Sequence, residues 1–373
     1  MNERLGELQA VHDLSVLRGR PQLLRRKWSR MAKSSFSFLR GAAPLWAELL
    51  KRHPEWLRGV PGSGPIVGDL HLENFGTMRG PHGMTFQVND FDETFVGPWA
   101  FDALRLMTSI VLARSEFGIS GTQVLTLAEA VLDGHEVAMG KGRVSAPPAI
   151  ARVIAAAELA RNRTLHDRFG AGRLLRDPQK TPEAPAVLLK QLPATLERWR
   201  KGLPAAHRPA EEALEVLDCT RRVAGTGSLG VERLQVLVRG DKHPWLLTVK
   251  EVRGSPADPQ PPSAERLVEL MRRCLRAPPV LLGASTLGTL PVIVSRTGPG
   301  EDKLSVDGYE RAELLPMCRY LGYLTGDLHA QGAKTRVRWS AKHRKQLFNV
   351  AMELAGLHQQ AFLEFCLFSA ALH

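Results

Sequence analysis

Cysteine is scarce in this chain, which has only 4 cysteines among 373 residues. They lie far apart in the sequence, at Cys219, Cys274, Cys318 and Cys366. A disulfide framework or a zinc knuckle requires cysteines, or cysteines and histidines, at close and regular spacings. The sequence therefore indicates reduced, partly buried thiols and favours neither a disulfide scaffold nor a structural zinc site.

Long uninterrupted apolar runs are also missing. Residues 278–295 carry no charge, but prolines and glycines interrupt them, so they indicate strand, turn and strand. The apolar run Ala361–Leu372 is too short to cross a bilayer and contains Glu364. The first residues are charged and lack the apolar core of a signal peptide. We therefore expect a cytoplasmic protein without a membrane span.

Negative charge is in deficit, with 38 Asp and Glu against 50 Lys and Arg, a formal net charge of +12. Such an excess implies an anionic partner, which nucleic acid, an acidic membrane surface or a nucleotide would satisfy. Residues 1–60 hold 12 of the basic and 5 of the acidic residues, whereas residues 61–110 hold six carboxylates and two arginines. Clustered carboxylates repel one another unless a cation or basic groups lie between them. This acidic segment is therefore the first candidate for a site.

Two short acidic motifs follow each other there. The first reads G-D-L-H-L-E-N and contains Asp69 and Asn74, and the second reads N-D-F-D and contains Asp90 and Asp92. Phosphoryl transfer requires a carboxylate that orients the acceptor hydroxyl and oxygen ligands that hold Mg²⁺ against the phosphates. We predict Asp69 as the catalytic carboxylate, and Asn74, Asp90 and Asp92 as metal ligands. His71 either contributes to catalysis or organises the loop, and both roles stay open.

Alternative interpretations exist for these motifs. Gly, Asp and Asn favour turns, so each residue taken singly is explained by loop structure. The D-L-H triplet also opens the sequence of dinuclear metallophosphoesterases, but no G-N-H element follows Asp92. A second G-D-L-H at Gly326–His329 lies on a predicted amphipathic helix and lacks the following Asn. We interpret it as a chance repetition.

A glycine-rich loop, G-T-G-S-L-G, occupies residues 225–230. The same letters occur in dinucleotide-binding folds, but there the loop opens a helix, and here it leads into a predicted strand. A glycine loop between strands is the protein-kinase arrangement, in which backbone amides cover the phosphates of a nucleotide. The candidate nucleotide-binding residues of the loop are Gly225, Gly227, Ser228 and Gly230.

Lys250 closes the next predicted strand, where a kinase lysine binds the α- and β-phosphates. Such a lysine requires a carboxylate partner from the following helix, and we predict Glu269, with Glu265 on the same helix face also available. The alternative is an exposed lysine on a hairpin and solvated glutamates.

Periodicity indicates helices at both ends of the chain and a β-rich unit between them. The predicted domains are a helical lobe over residues 1–205, a β-rich lobe over 206–300 and completing helices over 301–373. The predicted strands are Leu234–Val238, Leu246–Val249, Val280–Leu282 and Val292–Val294. The predicted helices in the second half include Ala264–Arg276, capped by Ser263, and Tyr309–Gln331.

Together the motifs resemble those of the protein-kinase-like superfamily, most closely its aminoglycoside and choline phosphotransferases. In those enzymes G-D-L-H-x-x-N is followed by D-F and then by a carboxylate at a helix start, to which Asp102 corresponds here. The whole chain is most similar to the uncharacterised bacterial family DUF2252. That likeness includes F-S-F-L-R-G at residues 36–41, the N-D-F-D-E-T run, and the late G-T-G-S-L-G with K-E.

The resemblance implies an α+β, two-lobed fold in which the kinase order is circularly permuted, because the catalytic loop precedes the glycine loop. It implies ATP and Mg²⁺ as cofactors and phosphoryl transfer to a hydroxyl of an unidentified small molecule or protein. Asp102 would brace the catalytic loop, and Arg40 would either bind an anion or serve in packing. Val67 departs from the pattern, since kinases usually have His or Arg there. The alternatives are AMP transfer to a protein by the same fold, or a non-catalytic nucleotide-sensing or nucleic-acid-binding protein.

Overall fold

The computed structural model describes residues 4–80, 83–160, 169–170, 172–298, 301, 303–304 and 308–371, which form a mixed α+β fold. The helices are α1 Leu5–Val16, α2 Pro21–Met31, α3 Ser35–Leu39, α4 Ala43–Arg52, α5 Ala100–Leu112, α6 Arg114–Phe117, α7 Gly121–Met139, α8 Pro148–Leu159, α9 Ala186–Gly202, α10 Ala264–Cys274, α11 Arg311–Ala333 and α12 Ala341–Ala371. The strands are β1 Ser63–Ile66, β2 Phe75–Gly80, β3 Gly83–Val88, β4 Phe95–Pro98, β5 Phe169–Gly170, β6 Arg173–Leu174, β7 Val216–Arg221, β8 Arg233–Val238, β9 Trp245–Glu251, β10 Gly283–Leu287 and β11 Leu290–Thr297. Within these ranges, no helix has both the length and the apolar character needed to span a membrane.

The basic N-terminal segment forms α1 and α2, which pack against the long helix α12. Gly6 permits the close approach, because a Cβ there would lie 2.4 Å from the carbonyl oxygen of Ala361. Asp13 on α1 is fully buried and accepts hydrogen bonds from Lys27 Nζ at 2.6 Å and Trp28 Nε1 at 3.2 Å. A buried carboxylate is tolerated when it is paired and hydrogen-bonded in this way.

The acidic segment is folded as two small antiparallel pairs. Strand β1 pairs with β4, and β2 pairs with β3 as a hairpin. Ile66 at the end of β1 is the register partner of Phe95 at the start of β4. The G-D-L-H-L-E-N motif follows Ile66 and the N-D-F-D motif precedes Phe95, so this register places the two acidic motifs side by side.

The β-rich unit is a five-stranded antiparallel sheet with the order β10-β11-β9-β8-β7. One face of the sheet packs on α9 through a buried apolar cluster that includes Leu196, Trp199, Leu247 and Val292. The sequence suggested that residues up to 205 belong to the helical lobe. By its contacts α9 belongs instead with the sheet, because its apolar stripe covers the otherwise exposed face of β8, β9 and β11.

Several boundaries in this unit follow local chemistry. The Ser263 hydroxyl accepts a hydrogen bond from the Arg266 amide at 3.2 Å, so α10 begins where the cap predicted. The predicted strand Val280–Leu282 is wrong, and β10 begins at Gly283 instead. Leu281 has a φ of +57°, and the Leu282 amide donates to the Pro279 carbonyl at 3.2 Å. These residues form a turn because that φ is incompatible with an extended strand.

Candidate functional site

The loop that carries Asp69 is anchored by a buried carboxylate on the adjacent helix. Asp102, in the first turn of α5, is fully buried and accepts hydrogen bonds from the amides of Val67 at 2.8 Å and Gly68 at 2.9 Å. Gly68 has a φ of +84°, and a Cβ there would lie 2.1 Å from the carbonyl oxygen of Glu93. The backbone that precedes Asp69 is therefore held in one conformation, as the resemblance implied for Asp102.

Asp69 itself forms an ion pair with Arg105, one helical turn after Asp102 on α5. Arg105 is fully buried and also donates to the Leu39 carbonyl at 2.9 Å, while its guanidinium lies 5.1 Å from the Trp46 ring centroid. Burial raises the pKa of Asp69 to about 6, although Arg105 opposes the shift. Asp69 is thus a carboxylate at neutral pH, with a proton affinity closer to that pH than an exposed aspartate has.

His71 and Asn74 occupy the rest of this loop. His71 Nδ1 accepts a hydrogen bond from the Glu73 amide at 3.2 Å, which fixes the short 3₁₀ turn Leu72–Asn74. Burial, together with Arg40 and then Arg105, lowers the pKa of His71 well below its usual value, so the ring is neutral. The geometry gives His71 an organising role, although its ring also lines the cavity described below.

The second acidic motif is neutralised by two lysines from distant segments. Lys303 Nζ lies 2.8 Å from Asp90, and Lys250 Nζ lies 3.3 Å from Asp90 and forms a closer ion pair with Asp92. Burial acts to raise the pKa of Asp90, but Lys250 and Lys303 outweigh it and hold that pKa well below the usual value. Both carboxylates of the N-D-F-D motif therefore face positive charge.

The structure does not pair Lys250 with Glu269. The Glu269 side chain is 69% exposed and lies 3.8 Å from Arg273 on its own helix. Lys250 projects from the sheet face that is turned toward Asp90 and Asp92, whereas Glu269 is on a solvent-facing side of α10. The helix partner predicted from the sequence is thus replaced by the carboxylates of the N-D-F-D motif.

The glycine loop closes over Asp69. A Cβ on Gly227 would lie 3.1 Å from the Arg40 carbonyl oxygen and 4.0 Å from an Asp69 carboxylate oxygen, so the loop backbone runs directly above the segment that carries Asp69. The Ser228 hydroxyl donates to the Ala224 carbonyl at 3.1 Å and fixes the loop from within. The loop ends at Gly230, whose φ of +96° favours glycine.

Two arginines of the N-terminal segment, Arg20 just before α2 and Arg30 within it, hold the two ends of this loop. Arg20 Nη1 donates to the Gly230 carbonyl at 2.9 Å, and Arg30 donates to the Gly225 carbonyl. Arg253 also donates to Gly230, at 2.5 Å. Part of the positive charge of the first sixty residues therefore positions the glycine loop.

These elements enclose a small polar cavity of about 50 Å³. It is lined by Arg40, Asp69, His71, Asn74, Asp90, Asp92, Glu93, Gly225, Thr226, Gly227, Ser228 and Lys303. Arg40 lies 2.5 Å from Glu73 at its edge. Burial, and then Asp69, raises the pKa of Glu93 well above its usual value, so Glu93 binds a proton more readily than an exposed glutamate does.

The oxygen atoms that could bind a hard cation such as Mg²⁺ in this cavity are only partly those of carboxylates. No three His, Cys, Asp or Glu side chains in the described ranges are grouped as a ready-made metal cluster. However, Asn74 Oδ1 is buried and has no hydrogen-bond partner within the described part of the chain, and Asp90 lines the same cavity. Mg²⁺ typically takes one or two protein oxygens and completes its shell with water and substrate phosphates. Asn74 fits that role with an unpartnered oxygen, and Asp90 and Asp92, which line the same cavity, would each exchange a lysine contact for the cation.

Sequence reasoning missed three contributors to the site: Arg105, Lys303 and Glu93. Arg105 had a detectable signal, because it is a single cation three residues after Asp102 on an otherwise apolar helix. Glu93 directly follows the N-D-F-D motif. Lys303 lies outside every motif, and only its contact with Asp90 reveals it.

Comparison with known proteins identifies one family. A family model described as "Uncharacterized protein conserved in bacteria" matches residues 18–168 and 149–367, which together span most of the chain. No curated protein and no solved structure matches.

Proposed function

The chain belongs to this bacterial family, DUF2252, and because its description names no activity, we propose from the site itself that the protein is a Mg-ATP-dependent phosphotransferase acting on a hydroxyl. One observation carries the proposal. The loop of Asp69, the N-D-F-D motif and the glycine loop converge on one cavity, and Lys250 and Lys303 both reach Asp90 there. Glycine-loop amides, a lysine and Asp/Asn oxygens are the groups that phosphoryl transfer requires together.

The proposed role of each side chain follows from its position in the site. Asp69 lies beneath Gly227 and would accept the proton of the acceptor hydroxyl and orient it. Asn74 and Asp90 would hold Mg²⁺, which when bound neutralises charge on the phosphates. Lys250, which contacts Asp90 and Asp92 beside the cavity, would bind phosphate oxygens, and the amides of residues 225–228 would cover them. Arg105 keeps Asp69 ionised and oriented.

We also propose that the fold is a circularly permuted kinase-like fold. The succession of strand β7, glycine loop, strand β8, lysine-bearing strand β9 and helix α10 supports this, since it follows the order that the resemblance predicts. The catalytic segment comes before these elements in the chain, yet lies under the glycine loop in space.

The deciding experiment is ATP turnover with Mg²⁺ against a panel of hydroxyl compounds, comparing wild type with Asp69→Asn. Asparagine is preferred to alanine because it leaves Arg105 a hydrogen-bond acceptor and so preserves the buried pair. We expect Asp69→Asn and EDTA each to remove turnover, and Asp241→Asn, on the exposed β8–β9 turn, to leave it unchanged. Equal turnover in Asp69→Asn and wild type would refute the proposal.

The position of the label separates the two transfer reactions. With γ-labelled ATP, phosphoryl transfer labels the acceptor, whereas AMP transfer labels it only from α-labelled ATP. If the acceptor is labelled only from α-labelled ATP, the reaction is adenylyl transfer and not phosphoryl transfer.

A further inference from the structure

A second, much larger cavity of about 810 Å³ lies where the start of α2 meets the glycine-loop end of β7 and β8. Its volume is that of a small-molecule site. Five arginines line it, namely Arg20, Arg26, Arg221, Arg222 and Arg233, against one carboxylate among its described residues, Glu232. The uncapped first turn of α2, Pro21–Leu23, also faces this cavity and adds to its positive potential.

Glu232 offsets only one of these five positive charges. It forms an ion pair with Arg221, whose Nη2 lies 2.5 Å away, and its carboxylate lies 3.9 Å from Arg20. Arg26 donates to the neutral carbonyl of Gln179 and so retains its charge. Guanidinium groups gathered around a small-molecule cavity suit phosphate oxygens, which they bind through paired charge-assisted hydrogen bonds.

The two cavities meet at the glycine loop. Ser228 lines both of them, and Gly227 beside it lies over Asp69. Arg233 links them further, because it is the register partner of Lys250 across β8 and β9 and its charge acts on Asp90. A small molecule in the large cavity would therefore adjoin the transfer site without occupying it.

We propose that this arginine-lined cavity binds the acceptor, and that the acceptor is a small molecule that already carries phosphate groups. This rests on the proposed function and narrows it. A cationic acceptor would be repelled by the net positive charge of the cavity, whereas an anionic one would be held by its phosphates with a hydroxyl turned toward Ser228 and Asp69.

The test is binding of inorganic pyrophosphate, measured by calorimetry on the full chain saturated with ATP and without Mg²⁺. The double variant Arg26→Gln/Arg222→Gln removes two cavity arginines. The matched control, Arg18→Gln/Arg25→Gln, removes two arginines from the same region that do not line the cavity. We expect the cavity variant to bind pyrophosphate roughly tenfold or more weakly, because charge-assisted hydrogen bonds are lost, and the control to bind as wild type does.

Two results would overturn the proposal. Equal weakening in both double variants would mean that pyrophosphate responds only to net charge. Competition between ATP and pyrophosphate would assign the cavity to the nucleotide.

Thermal unfolding of each variant identifies any loss of fold, and in that case the single variant Arg26→Gln replaces the double variant. Binding requires no turnover, so failure of the proposed phosphotransfer would be seen separately in the Asp69→Asn comparison.

Discussion

His329 Nε2 lies 3.0 Å from Asp102 Oδ2, and both side chains are fully buried. A carboxylate oxygen can only accept from this ring, so Nε2–H is the donor. His329 Nδ1 is then free to accept from His135 Nε2, 3.2 Å away. The G-D-L-H of α11, which the sequence suggested was a chance repetition, thus supports the carboxylate that anchors the loop of Asp69.

We expect His329→Leu to destabilise the protein by about 1–3 kcal/mol, because Asp102 loses a buried charge-assisted donor. Turnover should fall as well, since the Val67–Gly68 amides lose a fixed acceptor. Urea unfolding and ATP turnover measure the two effects. His207→Leu, at an exposed histidine, serves as control. Unchanged stability in His329→Leu would show that the contact contributes nothing.

The pH dependence of turnover should show an acid limb near pH 6. Asp69 acts as a carboxylate, and burial raises its pKa to about 6, so activity is lost as pH falls through that value and the group takes up a proton. Arg105→Met removes the cation that opposes the shift, so the limb should move to higher pH. Rate profiles from pH 5 to 9 for both proteins test this. A limb at the same pH in both would exclude Asp69 as its source.

Lys250 and Glu269 should differ sharply on substitution. Lys250→Met removes the cation that neutralises Asp90 and Asp92 and that would bind phosphates, so we expect turnover to fall roughly 10²-fold or more. Glu269→Gln changes an exposed side chain whose partner is Arg273, so turnover should stay at the wild-type level. Steady-state kinetics distinguish the pairing of Lys250 with Asp90 and Asp92 from the pairing with Glu269 that the sequence predicted. A large loss of turnover in Glu269→Gln would support the pairing with Glu269.

Two glycines with positive φ allow the packing of the Asp69 loop to be tested with a built-in control. Gly68 has a φ of +84° and faces the Glu93 carbonyl, whereas Gly59 has a φ of +79° and nothing within 4 Å of an added Cβ. Alanine at either position incurs the same backbone strain, of about 1–2 kcal/mol. We expect Gly68→Ala to be clearly more destabilised than Gly59→Ala, because only there must the backbone shift. Chemical denaturation of both variants measures the difference, and equal losses would contradict the close contact.

The sequence predicted correctly what depends on neighbouring residues. Ser263 caps α10 because its hydroxyl needs only an amide three residues away. The strands on either side of the β8–β9 turn follow from apolar residues and a polar turn. In contrast, the predicted strand Val280–Leu282 is a turn because Leu281 has a positive φ. Helix α9 packs on the sheet because its apolar face covers the apolar face of the strands.

The partners inside the candidate site depend on packing between elements far apart in the chain. Local patterns placed Asp69, Asn74, Asp90, the glycine loop and Lys250 in motifs, and these residues do come together. They did not reveal that Lys250 would face Asp90 and Asp92, that Arg105 would hold Asp69, or that His329 would support Asp102. A motif shows which chemical groups a short segment contains. The partner of a buried charge is set by the tertiary fold, because a buried charge without a partner destabilises the folded state.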